Sequence, residues 1–179
     1  YNKLIKHVLE TGNYKCDRTK VGVISVFGYS MRFDLSQFFP LLTTKKIFFK
    51  GVIEELLWIL RGETDSNILS NKGVRIWDGN GSQEFLNSCG FINRQQGDLG
   101  PVYGHQWRYY NAPYYSSDSD YTHQGIDQIT NLIQNIKDDP NSRRHILNAW
   151  NPCQIQEMAL PPCHVMCQFY CTEFDKSIS

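Results

Sequence analysis

Apolar residues recur at helical spacing in three stretches of the chain. Leu4, Ile5, Val8 and Leu9 share one face of a short N-terminal helix that Gly12 stops. Between Gly51 and Gly62 the run Val52-Ile53-Glu54-Glu55-Leu56-Leu57-Trp58-Ile59-Leu60-Arg61 is apolar nearly all round, which predicts a buried helix. Ile126, Ile129, Leu132, Ile133 and Ile136 mark a third, amphipathic helix ended by Asp138-Asp139-Pro140. Strand-like runs fall at 23–27 and 29–33 around Gly28, at 145–150, and from about Cys163 through Tyr170. Between them lie an apolar loop at 38–46 and a turn-rich 76–81 with an exposed-looking Trp77. A short helix about Glu84 follows, then a tight glycine-rich loop at 97–108 and a tyrosine- and serine-rich surface loop at 112–122. With no repeat or linker, the pattern reads as one α+β domain.

Composition narrows the partners. Eighteen basic residues balance eighteen acidic ones, so no global field draws in nucleic acid or a membrane surface, and specific arginines must recognise any anion. Apolar runs such as 56–60 are too short to span a bilayer. The six cysteines lack the density of a secreted disulfide scaffold, which points to a reducing cytosolic or nuclear setting. Cys163, Cys167 and Cys171 are spaced by four. In a strand that spacing strings them out by about 13 Å per step, too far to close round one ion, so no metal is expected. Neither phosphate-binding glycine fingerprint is present. The chain lacks an initiator methionine and stops at Ser179 just after a strand, as a fragment of a longer chain would.

Four places carry candidate chemistry. In Leu160-Pro161-Pro162-Cys163-His164, two prolines fix φ and exclude a helix, presenting Cys163 at the mouth of a strand as a nucleophile or as an inert core thiol. Glu54 shares its helix face with Lys50 and Arg61 and reads as an ordinary carboxylate. Glu55, with Val52, Trp58 and Ile59 as helical neighbours, is either a proton-handling carboxyl with a raised pKa or a rim glutamate in a surface ion pair. Arg143 and Arg144 either fork onto a phosphate or cap a helix–strand turn. Adjacent strand residues face opposite ways, so both can serve one phosphate only if the strand has not yet begun.

Taken together, Asp17-Arg18-Thr19, Phe39-Pro40-Leu41-Leu42-Thr43-Thr44-Lys45, Glu54-Glu55-Leu56-Leu57-Trp58, Ile76-Trp77-Asp78, Gly97-Asp98-Leu99-Gly100-Pro101-Val102-Tyr103-Gly104, Ser142-Arg143-Arg144 and 159–170 resemble the thymidylate synthases, in the family's order and over essentially the whole chain. The chain also resembles the synthase half of bifunctional reductase–synthases. The resemblance implies a large twisted mixed β-sheet packed by helices, one sheet face serving a homodimer. It also implies reductive methylation of dUMP to dTMP with 5,10-methylenetetrahydrofolate as co-substrate, leaving dihydrofolate.

Carried over by position, Cys163 is the nucleophile, its thiolate favoured by nearby arginines, while Glu55 and Tyr103 handle protons. Arg18, Arg143 and Arg144 bind the phosphate, the latter pair in the neighbouring subunit; Trp77 and Asn80 face the folate. His164 and Gln168 lie beside the nucleophile and support the site rather than carry out its chemistry. Lys20 replaces a usual glycine after Arg18-Thr19, and His105 stands where the family more often has another residue. The family needs a segment beyond Ser179 that supplies another phosphate arginine and the residues reading base and sugar, so a protein ending there is expected to be inactive. The rival within the family's chemistry is a deoxycytidylate hydroxymethylase. The rival outside it is a catalytically dead nucleotide- or RNA-binding homologue, against which the intact Cys163, Glu55 and Tyr103 and the neutral charge both argue.

Overall fold

The computed structural model describes residues 1–16 and 20–172, which fall into two compact units, Tyr1–Phe48 and Phe49–Ser179. In the first unit, helix α1 (Asn2–Thr11) ends as its sequence predicts, with Gly12 N–H donating to Val8 O at 2.9 Å. Strand β1 (Asn13–Lys15) then pairs antiparallel with β2 (Val23–Ser25), Tyr14 opposite Ile24. Only three residues of the expected 23–27 strand form a ladder, and 29–33 forms none. Strand propensity there finds no partner edge among the described residues, and an unpaired strand leaves its backbone groups to water. Arg18 lies outside the described residues.

The second unit holds the remaining elements: helices α2 (Phe49–Leu60), α3 (Asn67–Asn71), α4 (Asp78–Gly81), α5 (Gln83–Ser88), α6 (Tyr103–Arg108) and α7 (Gln128–Asp138), and strands β3 (Ile146–Asn148) and β4 (Met166–Gln168). Strands β3 and β4 pair antiparallel, with Leu147 opposite Cys167. Among the described residues the strands thus make two two-stranded sheets mixed with helices, not one large sheet.

Helix α2 closes with a Schellman motif: Gly62, at φ +81°, donates to Ile59 O at 2.9 Å, and Glu63 N–H donates to Trp58 O at 3.2 Å. It is not buried all round as predicted. Gly51, Trp58 and Ile59 are buried, whereas Val52, Ile53, Leu56 and Leu57 are exposed, so one flank alone meets the core. Trp58 anchors that flank, its indole N–H donating to Asp65 O at 2.9 Å; truncation to alanine would cost about 3–5 kcal/mol.

Two loops are more ordered than their composition suggests. The glycine-rich 97–108 becomes helix α6 from Tyr103 onward, started by the extended Val102, and Tyr103 to Trp107 are all buried. In the 112–122 segment, Ala112 and Tyr121 are buried, and Tyr114 donates to Asp98 Oδ1 at 2.6 Å. His105 fills the space between them. Its Nε2 donates to Ala112 O at 3.0 Å, and its ring meets those of Tyr114 and Tyr121 edge-on. Helix α7 begins one residue after its cap, Asp127, which accepts from Thr130 N–H at 2.9 Å and pairs with Arg108 at 3.2 Å.

Candidate active site

The two prolines before Cys163 withhold their N–H groups, so the chain cannot enter the β4 ladder until it has passed them. Strand β4 accordingly starts at Met166, leaving Cys163 exposed ahead of it. The nucleophile candidate is fixed through its backbone: Cys163 N–H donates to the Tyr103 hydroxyl at 2.6 Å. Tyr103 opens α6 and is buried. Burial pushes its phenol above the ordinary tyrosine value, and the bond from Cys163 N–H offsets this only in part. The phenol therefore keeps its proton at neutral pH, a donor beside the thiol.

The ring of His164 stacks on Tyr103 at 4.4 Å and tilts against Trp107 at 5.5 Å. Desolvation by these rings lowers the His164 pKa, and the nearby Glu55 charge pulls the other way. Its imidazole is thus occupied by aromatic packing rather than paired with the thiol as in a protease dyad.

The adjacent glutamates of α2 have different surroundings. Glu54 accepts from Lys72 Nζ at 2.7 Å, which with Lys50 and Arg61 further off holds its carboxyl below the usual range. Glu55 points the other way and accepts from the indole N–H of Trp77 at 2.7 Å. Trp77, which the sequence pattern placed in an exposed turn, is 7 % exposed. Its ring is clamped between Trp58 and Tyr103, centroids 6.3 Å from each. The turn-rich composition is real, but the following Asp78–Gly81 coils into α4 and folds the indole inward.

Glu55, Trp77, Asn80, Tyr103, Cys163 and His164 line one cleft of about 340 Å³, closed on its apolar side by Ile59, Ile76 and Leu160. Those three aliphatic residues had no functional signal of their own; Ile59 entered only as a helical neighbour of Glu55, and Ile76 and Leu160 only as neighbours in sequence of Trp77 and the proline pair. Arg143 and Arg144 are elsewhere. Both are exposed in the turn before β3, where two adjacent side chains are free of strand alternation, and Gln168 of β4 donates to Arg143 O at 3.1 Å. The arginine support expected for a Cys163 thiolate is therefore not in the cleft among the described residues.

An exposed thiol, a phenol bonded to its main chain and a carboxylate held by an indole thus share one cleft, a set of groups able to support nucleophilic addition. The family profile described as "Thymidylate synthase" matches residues 1–179. The chain is 55 % identical over 170 residues to the bifunctional dihydrofolate reductase-thymidylate synthase of Paramecium tetraurelia, covering 95 % of this chain and 37 % of that protein. It is 55 % identical over 166 residues to the thymidylate synthase of Homo sapiens, covering 93 % and 53 %. The bifunctional protein of Plasmodium chabaudi is 52 % identical over 179 residues, covering 100 % and 30 %. The chain spans about half the length of these relatives or less. It belongs to the thymidylate synthase family.

Proposed function

We propose that the protein is a methyltransferase that makes dTMP from dUMP, with 5,10-methylenetetrahydrofolate as one-carbon and hydride donor. The observation that carries this reading is the convergence of Cys163, Tyr103, Glu55, Trp77 and Asn80 on one cleft. The ring carbon to be methylated is a poor nucleophile in uracil. Addition of the Cys163 thiolate to the neighbouring ring carbon forms a C–S bond and sends the alkene electron pair into the carbonyl, giving an enolate that can attack the one-carbon unit. The new C–C bond forms there. A proton then leaves the methylated carbon, towards water held by Tyr103 and Glu55. The tetrahydrofolate leaves by elimination and returns hydride to the exocyclic carbon, becoming dihydrofolate, and the thiolate departs. Trp77 and Asn80 face the folate, with Ile59, Ile76 and Leu160 giving it a dry wall.

Arg143 and Arg144 bind the nucleotide phosphate together with Arg18, and do so in a second copy of the chain. In support, both are exposed, neither makes an ion pair among the described residues, and neither lines its own cleft. The β3–β4 pair extends into a larger twisted sheet whose outward face, carrying Ile146 and Met166, forms the dimer. The free cysteines of the described residues fit a reducing, cytosolic compartment. Among those residues no helix is long and apolar enough to cross a membrane.

The test is to incubate the full-length protein with methylenetetrahydrofolate and either dUMP or dCMP, following dihydrofolate. Production with dUMP and its loss in Cys163→Ser are expected. Consumption of dCMP alone would mean a hydroxymethylase, and no turnover of either would leave a binding homologue.

A further inference from the structure

Outside the lining of the cleft, the side chains of Gln106, Asn151 and Gln154 are buried and bonded to one another. Gln106 lies one turn after Tyr103 on α6; Asn151 and Gln154 lie on the segment that runs from β3 towards Cys163. Gln106 Nε2 donates to Pro101 O at 2.8 Å and to Gln154 Oε1 at 2.9 Å. Asn151 Nδ2 donates to Gln106 Oε1 at 3.1 Å and to Gln154 Oε1 at 3.0 Å. Asn151 Oδ1 accepts from Cys153 N–H at 3.1 Å, and Gln154 Nε2 donates to Ala112 O at 2.8 Å. Every side-chain nitrogen and oxygen of the three amides is partnered. Gln128 adds a strut from α7, donating to Gln106 O at 2.7 Å and Asn148 O at 2.8 Å while accepting from Asn148 N–H at 3.0 Å.

We propose that Gln106, Asn151 and Gln154 are positioning residues whose amide knot sets the Tyr103 hydroxyl against Cys163. Aliphatic side chains in that place would tolerate a slide of α6 past the 148–154 segment, because dispersion contacts re-form at many registers. A closed set of donors and acceptors is satisfied at one register only, and a displaced member leaves buried polar groups without partners. Tyr103 and Gln106 share α6, and the Tyr103 hydroxyl accepts from Cys163 N–H, the bond through which the knot reaches the reacting thiol's residue. Its kinetic consequence rests on the reading of the cleft as a dUMP-methylating site; its effect on thiol reactivity does not.

The experiment is a double-mutant cycle on the full-length protein with Gln106→Leu, Tyr103→Phe and both together. Alkylation of Cys163 by iodoacetamide is followed by peptide mass spectrometry, alongside kcat and KM for dUMP. With Tyr103 present, Gln106→Leu is expected to change the Cys163 alkylation rate by about threefold or more and to lower kcat about tenfold with KM little moved. With Tyr103→Phe present, the same substitution should change either quantity by less than about 1.5-fold, since the route of its effect is gone. Equal changes in the two backgrounds, or an unchanged alkylation rate with Tyr103 present, would overturn the proposal. Should Gln106→Leu fail to fold, Gln154→Met, which leaves the Gln106–Asn151 and Gln106–Pro101 bonds in place, carries the same cycle. If alkylation shows the coupling while the wild type turns over no dUMP, the knot stands and the proposed reaction falls.

Discussion

Replacing His145 by leucine should stabilise the protein. His145 is 1 % exposed, and neither ring nitrogen has a hydrogen-bond partner among the described residues. Its main chain is held independently of the ring, since Phe169 N–H donates to His145 O at 2.9 Å. It alternates with the exposed Ile146 and shares the inward side with buried Leu147. An imidazole brings two polar ring nitrogens, each costing about 1–3 kcal/mol when buried and unpartnered. Leucine removes both and fills a comparable volume, with a shape mismatch of about 1.5 kcal/mol at most. Together the two nitrogens cost about 2–6 kcal/mol, so the net gain is at least about 0.5 kcal/mol, which in a chain of this size raises Tm by at least roughly 1–2 °C. Differential scanning calorimetry of wild type, His145→Leu and His145→Gln at neutral pH measures it. The glutamine variant, still polar, should gain nothing. A leucine variant melting at or below the wild type would show that the ring is paired in solution and refute the reasoning.

Gly100 sits at φ +80° with an added Cβ falling on Glu157 O and within 2.6 Å of Arg94 Nη1; Gly100→Ala should cost about 2–4 kcal/mol, read as a lower midpoint in urea. His105 is buried with its pKa lowered, chiefly by desolvation. The folded state thus favours the neutral ring, so this contribution is whole above the unfolded value of about 6.5 and is lost below it, by at most about 1.4 kcal/mol per pH unit. His105→Phe should flatten that part of the stability–pH curve, and an unchanged acid slope would contradict the burial argument. Substituting Arg143 and Arg144 together by alanine should raise KM for dUMP by about 10–100-fold with a smaller change in kcat, as loss of charge-assisted phosphate bonds requires; unchanged KM would remove them from the phosphate site.

Helices α1, α2 and α7 were legible because amphipathic spacing and terminal glycine or aspartate act locally. Strands were less so. The 29–33 run has every β-prone feature of a strand, yet pairing is a property of two segments, and only the fold says which are neighbours. Pattern reading missed the helix at Tyr103–Arg108 because its glycine and aromatics argue for a loop until burial overrides propensity. In the site, the prolines betrayed Cys163 because they act on the adjacent backbone. Trp77 was misjudged because its burial depends on Trp58 and Tyr103, remote in sequence. The amide knot left no sequence signal at all: isolated Gln and Asn residues look like surface until three meet inside.

The neighbours Glu54 and Glu55 have one more implication. Successive residues on a helix are turned by about 100°, so two identical carboxylates leave α2 in directions that cannot be exchanged by side-chain motion. One direction meets the Lys72 ammonium, the other an indole. Chemistry is thereby assigned by angular index rather than by residue type. Deleting a single residue between Glu55 and the buried Trp58 would turn the pair relative to that anchor and aim a different side chain at the cleft, a lesion that no substitution at Glu54 or Glu55 could repair.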